Sequence, residues 1–553
     1  MRQLEEGAAM SKGSGLLRSS AIFSAMTFIS RVSGLIRDQV YAVVFGASPA
    51  MDAFFVAFRI PNFMRRLSAE GSFSMAFVPV LAEYKQKHDQ AAVKELIDRV
   101  SGTLSAFLLV LTAVVIFAAP WVMALFAPGF EPGSEQYRMA TQMLQITFPY
   151  ALFISLASLV GGVLNSYEKF AIPALSPVLL NVSMIAAAVC AERVFSPMGL
   201  NPVLALAWGV LLAGVLQLGF QLPALAKLGL LPRPRWGGAH EGVRKIMRLM
   251  VPTLFGSSVA QVNLLLNTAM ASFLIAGSVT WLYLTDRLLE FPLGMFGVAI
   301  GTVILPHLSK RHAATDPQGF SKGLDWGFRL CLLIGVPACL GLVLCAEPLV
   351  ASLFQYGRLT AHDTAMIRLS LMAQSIAVPA FLLVKVLAPA FYSRQDTKTP
   401  VKSAVVSVIV NLVSTASLLL AVLYLTEAGR AALHSSGGDL RQALGEVPGA
   451  HACLALAIAI AGWVNALQLA WYLRRSKVYA RQPGWGRFLR QIAVASVAMT
   501  VVVLGLLWFW TGWTGWPWWE RAWKLGIVVG AGGAFYGAAL WLQGIRMRDL
   551  RGH

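Results

Sequence analysis

Charged residues are scarce in this chain. They make up 13% of its 553 residues, whereas hydrophobic residues make up 57%. A soluble protein of this length carries roughly 25% charged residues. So small a share excludes a water-soluble globular fold, because lipid rather than water must solvate most of such a surface. The composition therefore predicts a membrane protein.

Cysteines and acidic residues are also few. The five cysteines lie in apolar runs and form no CxxC pair, which predicts small buried residues and no metal site. Basic residues outnumber acidic ones by 45 to 26. In a soluble protein this excess would suggest nucleic acid, but here the basic residues lie in short loops between apolar runs. We therefore expect no nucleic-acid partner and attribute the excess to membrane topology.

Fourteen segments reach the roughly 20 apolar residues that a helix needs to cross the hydrocarbon core. The predicted fold is therefore an all-α polytopic membrane protein with about fourteen transmembrane helices. The second and eighth spans are the least regular, because both carry charges. The approximate limits are 19–45, 50–82, 100–127, 139–166, 171–192, 201–226, 249–276, 278–306, 324–354, 364–392, 401–426, 450–473, 488–511 and 522–544.

Lysine and arginine are distributed unevenly among the loops. When the loops are numbered in chain order, the even loops and both termini hold 29 of these residues, and the odd loops hold 8. Cytoplasmic loops carry such an excess, so we expect both termini in the cytoplasm.

A weak duplication with an offset near 227 residues runs through the chain. FVPVLAEY from Phe77 resembles ILPHLSKR from Ile304, and NSYEKFAIP resembles YSRQDTKTP. Six spans per repeat give both halves one orientation. We therefore expect two six-helix lobes in a pseudo-two-fold arrangement, plus two extra C-terminal helices. The predicted segments are a cytoplasmic N-terminal segment (1–18), an N-lobe (19–226), a basic linker (227–248), a C-lobe (249–473), the last two helices (474–545) and a cytoplasmic tail (546–553).

Charged residues within the spans are concentrated in the first, second and eighth. A charge at mid-span costs about 2.5–3.5 kcal/mol, so it must face a wet cavity, pair with an opposite charge or bind an anion. Converging arginines suit a phosphate group, because the guanidinium fork offers bidentate hydrogen bonds. The alternative is that these residues form ion pairs that hold helices together. The residues are Arg31, Arg37, Asp38, Asp52, Arg59, Arg65, Arg66, Glu70, Asp286, Arg287 and Glu290.

The second span leaves open which of two adjacent arginines faces a cavity. On an ideal helix Arg66 shares a stripe with Asp52 and Arg59, and Arg65 points away. Pro61 disturbs the helical phase between them, so the spacing alone does not decide.

Four long motifs carry a resemblance to a known family. They are SRVSGLIRD, MDAFFVAFRIPNFMRRLSAEGSFSMAFVPVLAEY, TDRLLEFPLGMFGVAIGTVILP and APAFYSRQDTKTPVK. They closely resemble the MurJ (MviN) lipid II flippases of the multidrug/oligosaccharidyl-lipid/polysaccharide exporter superfamily. The resemblance runs from about residue 19 to 545.

The resemblance implies a transporter rather than an enzyme. By alternating access in the inner membrane it would move lipid II, a polyprenyl-diphosphate-linked peptidoglycan precursor, from the cytoplasmic to the periplasmic leaflet. The last two helices would shape a groove for the lipid tail. Membrane phospholipid and the cell-wall synthesis machinery become candidate partners. The implied diphosphate-binding residues are Arg31, Arg37, Arg65 and Arg287, and the implied acidic or polar cavity residues are Asp38, Asp52, Asn62, Glu70, Asp286 and Glu290.

No cofactor is expected, and the coupling ion stays open. Some relatives bind sodium through carboxylates on the seventh and eleventh helices. Here those spans offer Asn263, Asn267 and Asn411, with Asp396 alone at the entrance of the eleventh. The two spans therefore lack the carboxylates of such a sodium site, and the alternatives are coupling to the membrane potential or to another cation.

Three rival functions fit the sequence less well. A drug/cation antiporter of the same superfamily would need an acidic, aromatic cavity rather than one rich in arginine. A membrane glycosyltransferase would need acidic loop clusters, whereas these loops are short and basic. The arginines would suit a flippase for another polyprenyl-diphosphate glycan equally well, and only the motif match argues against it.

The charge bias predicts topology directly. A reporter that is active in the cytoplasm should be active when fused at His553, and inactive when placed within residues 427–449. An external C-terminus would contradict the even number of spans.

Overall fold

The computed structural model describes residue 26, residues 28–69 and residues 72–546, with backbone alone at 67–69, 72, 252–258, 260, 298, 299, 302 and 303. Within these ranges every regular element is helical and no strand occurs. A helix satisfies its own backbone hydrogen bonds, which a chain surrounded by lipid requires. The predicted all-α class is confirmed. The chain divides into two compact units, one through Ala269 and the other from Met270.

The first unit contains ten helices in its described part. A buried apolar cluster joins α3, α4 and α7 through side chains such as Phe77, Leu96 and Leu159. The helices are α1 (28–45), α2 (Pro49–Ala69), α3 (Ser72–Lys87), α4 (Gln90–Phe117), α5 (Ala119–Phe126), α6 (Glu135–Thr147), α7 (Tyr150–Ser166), α8 (Ala171–Phe195), α9 (Leu204–Lys227) and α10 (Glu241–Ala271).

The described part of the second unit contains twelve α-helices. They are α11 (Ser278–Pro292), α12 (Val298–Ala313), α13 (Pro317–Leu344), α14 (Ala346–Leu353), α15 (Ala361–Ser375), α16 (Val378–Tyr392), α17 (Lys398–Leu425), α18 (Glu427–Ser435), α19 (Leu440–Glu446), α20 (His451–Arg475), α21 (Trp485–Phe509) and α22 (Trp518–Leu542). An apolar cluster that includes Leu333, Met499 and Val528 packs α21 and α22 against α13.

The helix bounds repeat with the offset seen in the sequence. Helices α4 and α13 each have 28 residues, and an aspartate caps each N-terminus: Asp89 accepts from Ala92 N–H, and Asp316 from Gly319 N–H. Helices α5 and α14 each have 8 residues. The turns before α8 and α17 each contain a left-handed residue with a φ of 61°, Glu168 in one and Gln395 in the other. The duplicated motifs therefore fold alike.

Nine described helices are long and apolar enough to cross a membrane, or ten if α15 and α16, bent by 42°, form one span. The predicted first, second, seventh and eighth spans do not pass this test. Three of these carry the predicted site charges, which lower their hydropathy, and the seventh includes the side chains of 252–258, which are not described. The count of fourteen is consistent with these helices and stays a prediction.

Two surface segments differ from expectation. The segment 427–449, expected to be a loop, contains α18 and α19, because Thr426 and Asp439 cap their N-termini through their side chains. In the tryptophan-rich segment 510–523, Trp518 and Trp519 at the start of α22 are exposed, as tryptophans at a membrane interface are. Trp513 instead is buried in the cluster that packs α21 and α22.

The contact between α8 and α9 depends on a glycine. A Cβ at Gly209 would lie 2.7 Å from the Cβ of Ala187, whereas a Cβ at Gly219 on the same helix would meet open space. We expect Gly209→Ala to lower the free energy of unfolding by about 1–3 kcal/mol through overpacking. Gly219→Ala should be neutral or stabilising, because alanine favours helix. Thermal unfolding of both variants in detergent tests this, and equal melting temperatures would contradict it.

Candidate substrate-binding site

Arg37 is a buried charge on α1. Its Nε and Nη2 donate to Asp38 Oδ1 at 3.0 and 2.8 Å, and its Nη1 donates to Asn181 Oδ1 on α8 at 3.1 Å. Asn181 Nδ2 donates in turn to the Ser30 carbonyl and to Ser33 Oγ, at 3.1 and 2.8 Å. The side chains of Arg37 and Asp38 are 9% and 0% exposed. This guanidinium therefore joins α1 to α8 through charge-assisted hydrogen bonds.

Arg31 lies on the same helix but in a different environment. Its side chain is exposed, and it makes no hydrogen bond or ion pair with any residue that the structure describes. A guanidinium offers five N–H donors in a fixed fork. Arg31 can therefore present this fork to a ligand, whereas Arg37 already donates to protein groups.

Two arginines of α2, seven residues apart, contact α10. Arg59 Nη1 donates to Thr268 Oγ1, and Arg66 Nη1 donates to Gln261 Oε1 at 3.3 Å. Residues seven apart lie within about 20° on a helix, so one stripe makes both contacts. This stripe ties α2 to α10.

Arg65 donates to a different neighbour. Its Nε donates to Asn62 Oδ1 at 2.8 Å, one turn earlier on α2, and both side chains are half-buried. The helix continues through Pro61 without interruption. The directions that an ideal helix predicts are therefore present, with Arg66 toward α10 and Arg65 on another side.

The second span has two predicted acidic site residues, and the structure describes one of them. Asp52 lies in the first turn of α2 and is 2% exposed. Glu70, predicted on the same stripe, lies outside the described residues.

In the second unit, the predicted site residues lie on α11. Asp286 Oδ1 accepts from Gln374 Nε2 on α15 at 2.8 Å. Arg287 Nη1 donates to Glu290 Oε2 at 2.8 Å, and these two side chains are 23% and 52% exposed. A π-helical turn, Leu293–Gly297, follows directly, and such turns are frequent at functional sites. Asp286 thus packs against α15, while the Arg287–Glu290 pair is partly exposed.

The residues that sequence reasoning missed are neutral partners of the charges. Asn181 accepts from Arg37, Gln261 accepts from Arg66, and Gln374 donates to Asp286. Asn181 is a lone amide in the apolar part of α8, and this is the signal that could have found it, because an amide there needs a hydrogen-bond partner. Gln261 and Gln374 lie on helices that carry other polar residues, so the sequence does not single them out.

No group of three or more His, Cys, Asp or Glu side chains in the described ranges could hold a metal ion. Asp396, at the entrance of α17, accepts from Thr399 N–H and Oγ1–H at 3.0 and 2.6 Å. Burial opposes ionisation of Asp396, but these hydrogen bonds outweigh it, so its pKa lies below the usual value. Asp396 therefore caps the start of α17.

Comparison with known proteins identifies the family. The family model described as lipid II flippase MurJ matches residues 41–516. A Vibrio cholerae protein named probable lipid II flippase MurJ is 42% identical over 545 residues, covering 97% of this chain and 98% of that protein. The chain belongs to the MurJ family. A Burkholderia cenocepacia protein named lipid II flippase MurJ is 40% identical over 546 residues, covering 97% of this chain and 99% of that protein.

Solved structures agree with the MurJ fold. A lipid II flippase MurJ in an inward closed conformation superposes with a TM-score of 0.73 at 24% identity, covering 94% of this chain and all of that one. An inward-facing multidrug transporter of the MATE family superposes with a TM-score of 0.61 at 16% identity, covering 83% of this chain and 98% of that one. The family resemblance expected from the motifs is confirmed.

In this MurJ family member, Arg37 should behave differently from Arg31. Arg37→Ala leaves the buried Asp38 carboxylate without its ion pair, which costs about 3–5 kcal/mol. We therefore expect a lower membrane level of Arg37→Ala, and partial recovery when Asp38→Asn is added. Arg31→Ala is the matched control on the same helix and should keep the wild-type level. Quantitative immunoblotting of membranes measures all three. A normal level of Arg37→Ala would contradict the structural role of the pair.

Proposed function

We propose that this protein moves lipid II from the cytoplasmic to the periplasmic leaflet of the inner membrane by alternating access. The observation that carries the proposal is the MurJ family match over 97% of the chain. The substrate leaves chemically unchanged, so the protein acts as a transporter and not as an enzyme. Membrane phospholipid surrounds it, and the cell-wall synthesis machinery supplies and consumes its substrate.

The diphosphate of lipid II is the group that the arginines suit. Each phosphate offers oxygen acceptors and negative charge, and a guanidinium fork binds two such oxygens at once. Arg31 has an exposed fork, and Arg287 is partly exposed beside Glu290, which it can release to a stronger acceptor. Arg65 offers a third guanidinium, half-buried on α2. These residues are the proposed diphosphate ligands.

Arg37 has a different place in this proposal. Its Nε, Nη1 and Nη2 donate to Asp38 and Asn181. A phosphate oxygen would have to replace one of these acceptors before Arg37 could bind substrate. We therefore propose that Arg37 acts mainly by fixing α1 against α8, which sets the position of Arg31.

The topology and energy source complete the proposal. We place both termini in the cytoplasm, from the lysine and arginine bias. We place the lipid tail along α21 and α22, the two helices outside the repeat. No cofactor is required, because the membrane potential or a cation can drive a charged headgroup across the bilayer.

A flippase for a different polyprenyl-diphosphate glycan is the second candidate. The arginines would serve it equally well, because they recognise the diphosphate and not the sugar. Growth of a strain depleted of its own lipid II flippase separates the two, since only a chain that accepts lipid II restores growth.

The arginines themselves give the direct test. Losing charge-assisted hydrogen bonds of about 1.5–3 kcal/mol should weaken lipid II binding roughly 10- to 100-fold in Arg31→Ala and Arg287→Ala. Arg→Lys keeps the charge but loses the fork, so it should recover binding in part. Membrane levels should stay normal.

Arg368 on α15 is the matched control. It forms a partly exposed ion pair with Glu347 at 2.7 Å, like that of Arg287 with Glu290. Arg368→Ala should bind lipid II and complement as the wild type does. Normal lipid II binding by Arg31→Ala and Arg287→Ala would refute the site. Recovery of Arg287→Ala by Glu290→Gln would show an ion-pair role instead.

A further inference from the structure

The segment that leaves α9 lies along α4. This first strap, residues 228–240, has no helix of its own. Arg233 N–H donates to Asp98 Oδ1 at 2.7 Å, and Arg235 N–H donates to the Asp98 carbonyl at 3.0 Å. Asp98 is 5% exposed and pairs with Lys94, one turn earlier. One buried aspartate of α4 thus holds the backbone of the first strap at two points.

The fit of the first strap to α4 is close. A Cβ at Gly102 would lie 2.2 Å from the Arg235 carbonyl oxygen, and a Cβ at Gly237 would lie 2.6 Å from Arg99 Cβ. Gly237 N–H also donates to Thr103 Oγ1 at 3.0 Å. The two glycines therefore allow backbone to lie directly on helix, where the polar groups of Asp98 and Thr103 meet it.

The segment that leaves α20 lies along α13 in the same manner. Asp325 Oδ1 accepts from Tyr479 Oη and Trp485 Nε1, both at 2.7 Å, and from Gln482 N–H at 3.4 Å. These donors belong to the second strap, residues 476–484, and to the first residue of α21. Asp325 is 3% exposed and pairs with Arg329, one turn later, at 2.7 Å. Burial raises the pKa of the Tyr479 phenol, and its hydrogen bond to Asp325 raises it further.

Asp98 and Asp325 are equivalent in the repeat. They differ by 227 positions, as do Pro79 and Pro306 in the duplicated motifs. Each lies on the 28-residue helix of its repeat, each has a basic partner one helical turn away, and each accepts from a strap backbone N–H. Pro-x-Trp-Gly occurs in both regions, at residues 234–237 and 483–486, but the groups that bond to the aspartate carboxylate differ, with Arg233 N–H in the first and Tyr479 Oη in the second. The aspartate therefore binds the following strap in both copies of the repeat, although the strap groups that it binds differ.

We propose that Asp98 and Asp325 are a matched pair of positioning residues. Each holds the chain segment that leaves its bundle, meaning the six predicted spans of one repeat. The carboxylate fixes the strap on α4 or α13 and thereby sets where the next helix, α10 or α21, begins. In this arrangement α21 comes after the second strap, just as α10 comes after the first strap. The two C-terminal helices are thus attached to the second unit like the start of a third repeat.

Limited proteolysis tests the attachment without reference to transport. Arg481 lies within the second strap, between two residues that bond to α13. Charge-assisted hydrogen bonds of about 1.5–3 kcal/mol hold the strap, and cleavage follows the open population. Asp325→Asn and Asp325→Ala should therefore speed tryptic cleavage after Arg481 by about tenfold or more. Asp98→Asn should do the same after Arg235.

The capping aspartates are matched controls. Asp89 and Asp316 are also 227 positions apart and lie at the starts of the same two helices, but they cap those helices through Ala92 and Gly319. Asp89→Asn and Asp316→Asn should leave strap cleavage at the wild-type rate. Wild-type cleavage rates in the Asp98 and Asp325 variants would overturn the proposal.

A disulfide separates positioning from any other role of Asp325. Ser321 Oγ lies 3.0 Å from both the nitrogen and the oxygen of Ala480. In a cysteine-free background, Ser321→Cys with Ala480→Cys should link the second strap to α13 on oxidation. In the Asp325→Ala chain this link should restore both protease protection and lipid II flipping by purified protein in liposomes, and reduction should reverse the rescue.

The measurement of lipid II flipping rests on the proposed function, whereas the measurement of tryptic cleavage does not. If the wild-type chain fails to flip lipid II while the aspartate variants still lose protection, the proposed function fails and the strap proposal stands. If the oxidised chain regains protection but stays inactive while the wild type flips lipid II, Asp325 acts other than by positioning, and the proposal is wrong.

Discussion

Charge within apolar helices is the constraint on which this structure depends. A buried charge without a partner costs several kcal/mol, so each one must meet a group from another part of the chain. Arg37 meets Asn181 on α8, and Asp286 meets Gln374 on α15. Arg521, 6% exposed on α22, donates to the carbonyls of Ala351, Gln355 and Thr514. The helices are apolar enough to slide past one another in lipid, and these contacts fix their register.

The class of fold, the repeat and the family could be predicted from the sequence, because each depends on a pattern of neighbouring residues. Apolar length gives spans, and a fixed offset aligns the turns that contain Glu168 and Gln395. The sequence could not assign individual arginines. Arg31 and Arg37 look alike in SRVSGLIRD, yet the second is buried by Asn181, which lies 144 residues later. Periodicity carries no information about such a partner. Likewise α18 and α19 each depend on a single capping side chain, which the mean composition of the segment does not reveal.

The C-terminal helix pair illustrates how polar contacts complete an apolar surface. At one end of the pair, the second strap bonds to Asp325, and at the other Arg521 donates to the carbonyls of Ala351 in α14 and Gln355 just after it. Between them Tyr536 Oη donates to the Leu333 carbonyl at 2.7 Å. Apolar packing alone would leave the pair free to shift, because lipid tails replace it at little cost. The three polar contacts therefore hold the pair in place against α13 and α14.

The two strap contacts also form in a fixed order during synthesis at the ribosome. Asp98 is made 135 residues before its partner Arg233, and Asp325 is made 154 residues before Tyr479. During that interval each carboxylate still has its basic neighbour one turn away, Lys94 or Arg329, so it does not wait as a lone charge. The strap arrives only after α9 or α20, the helix before it, has been made. Each contact can thus close before α10 or α21 has been made, so the two copies of the repeat fix their straps one after the other during translation.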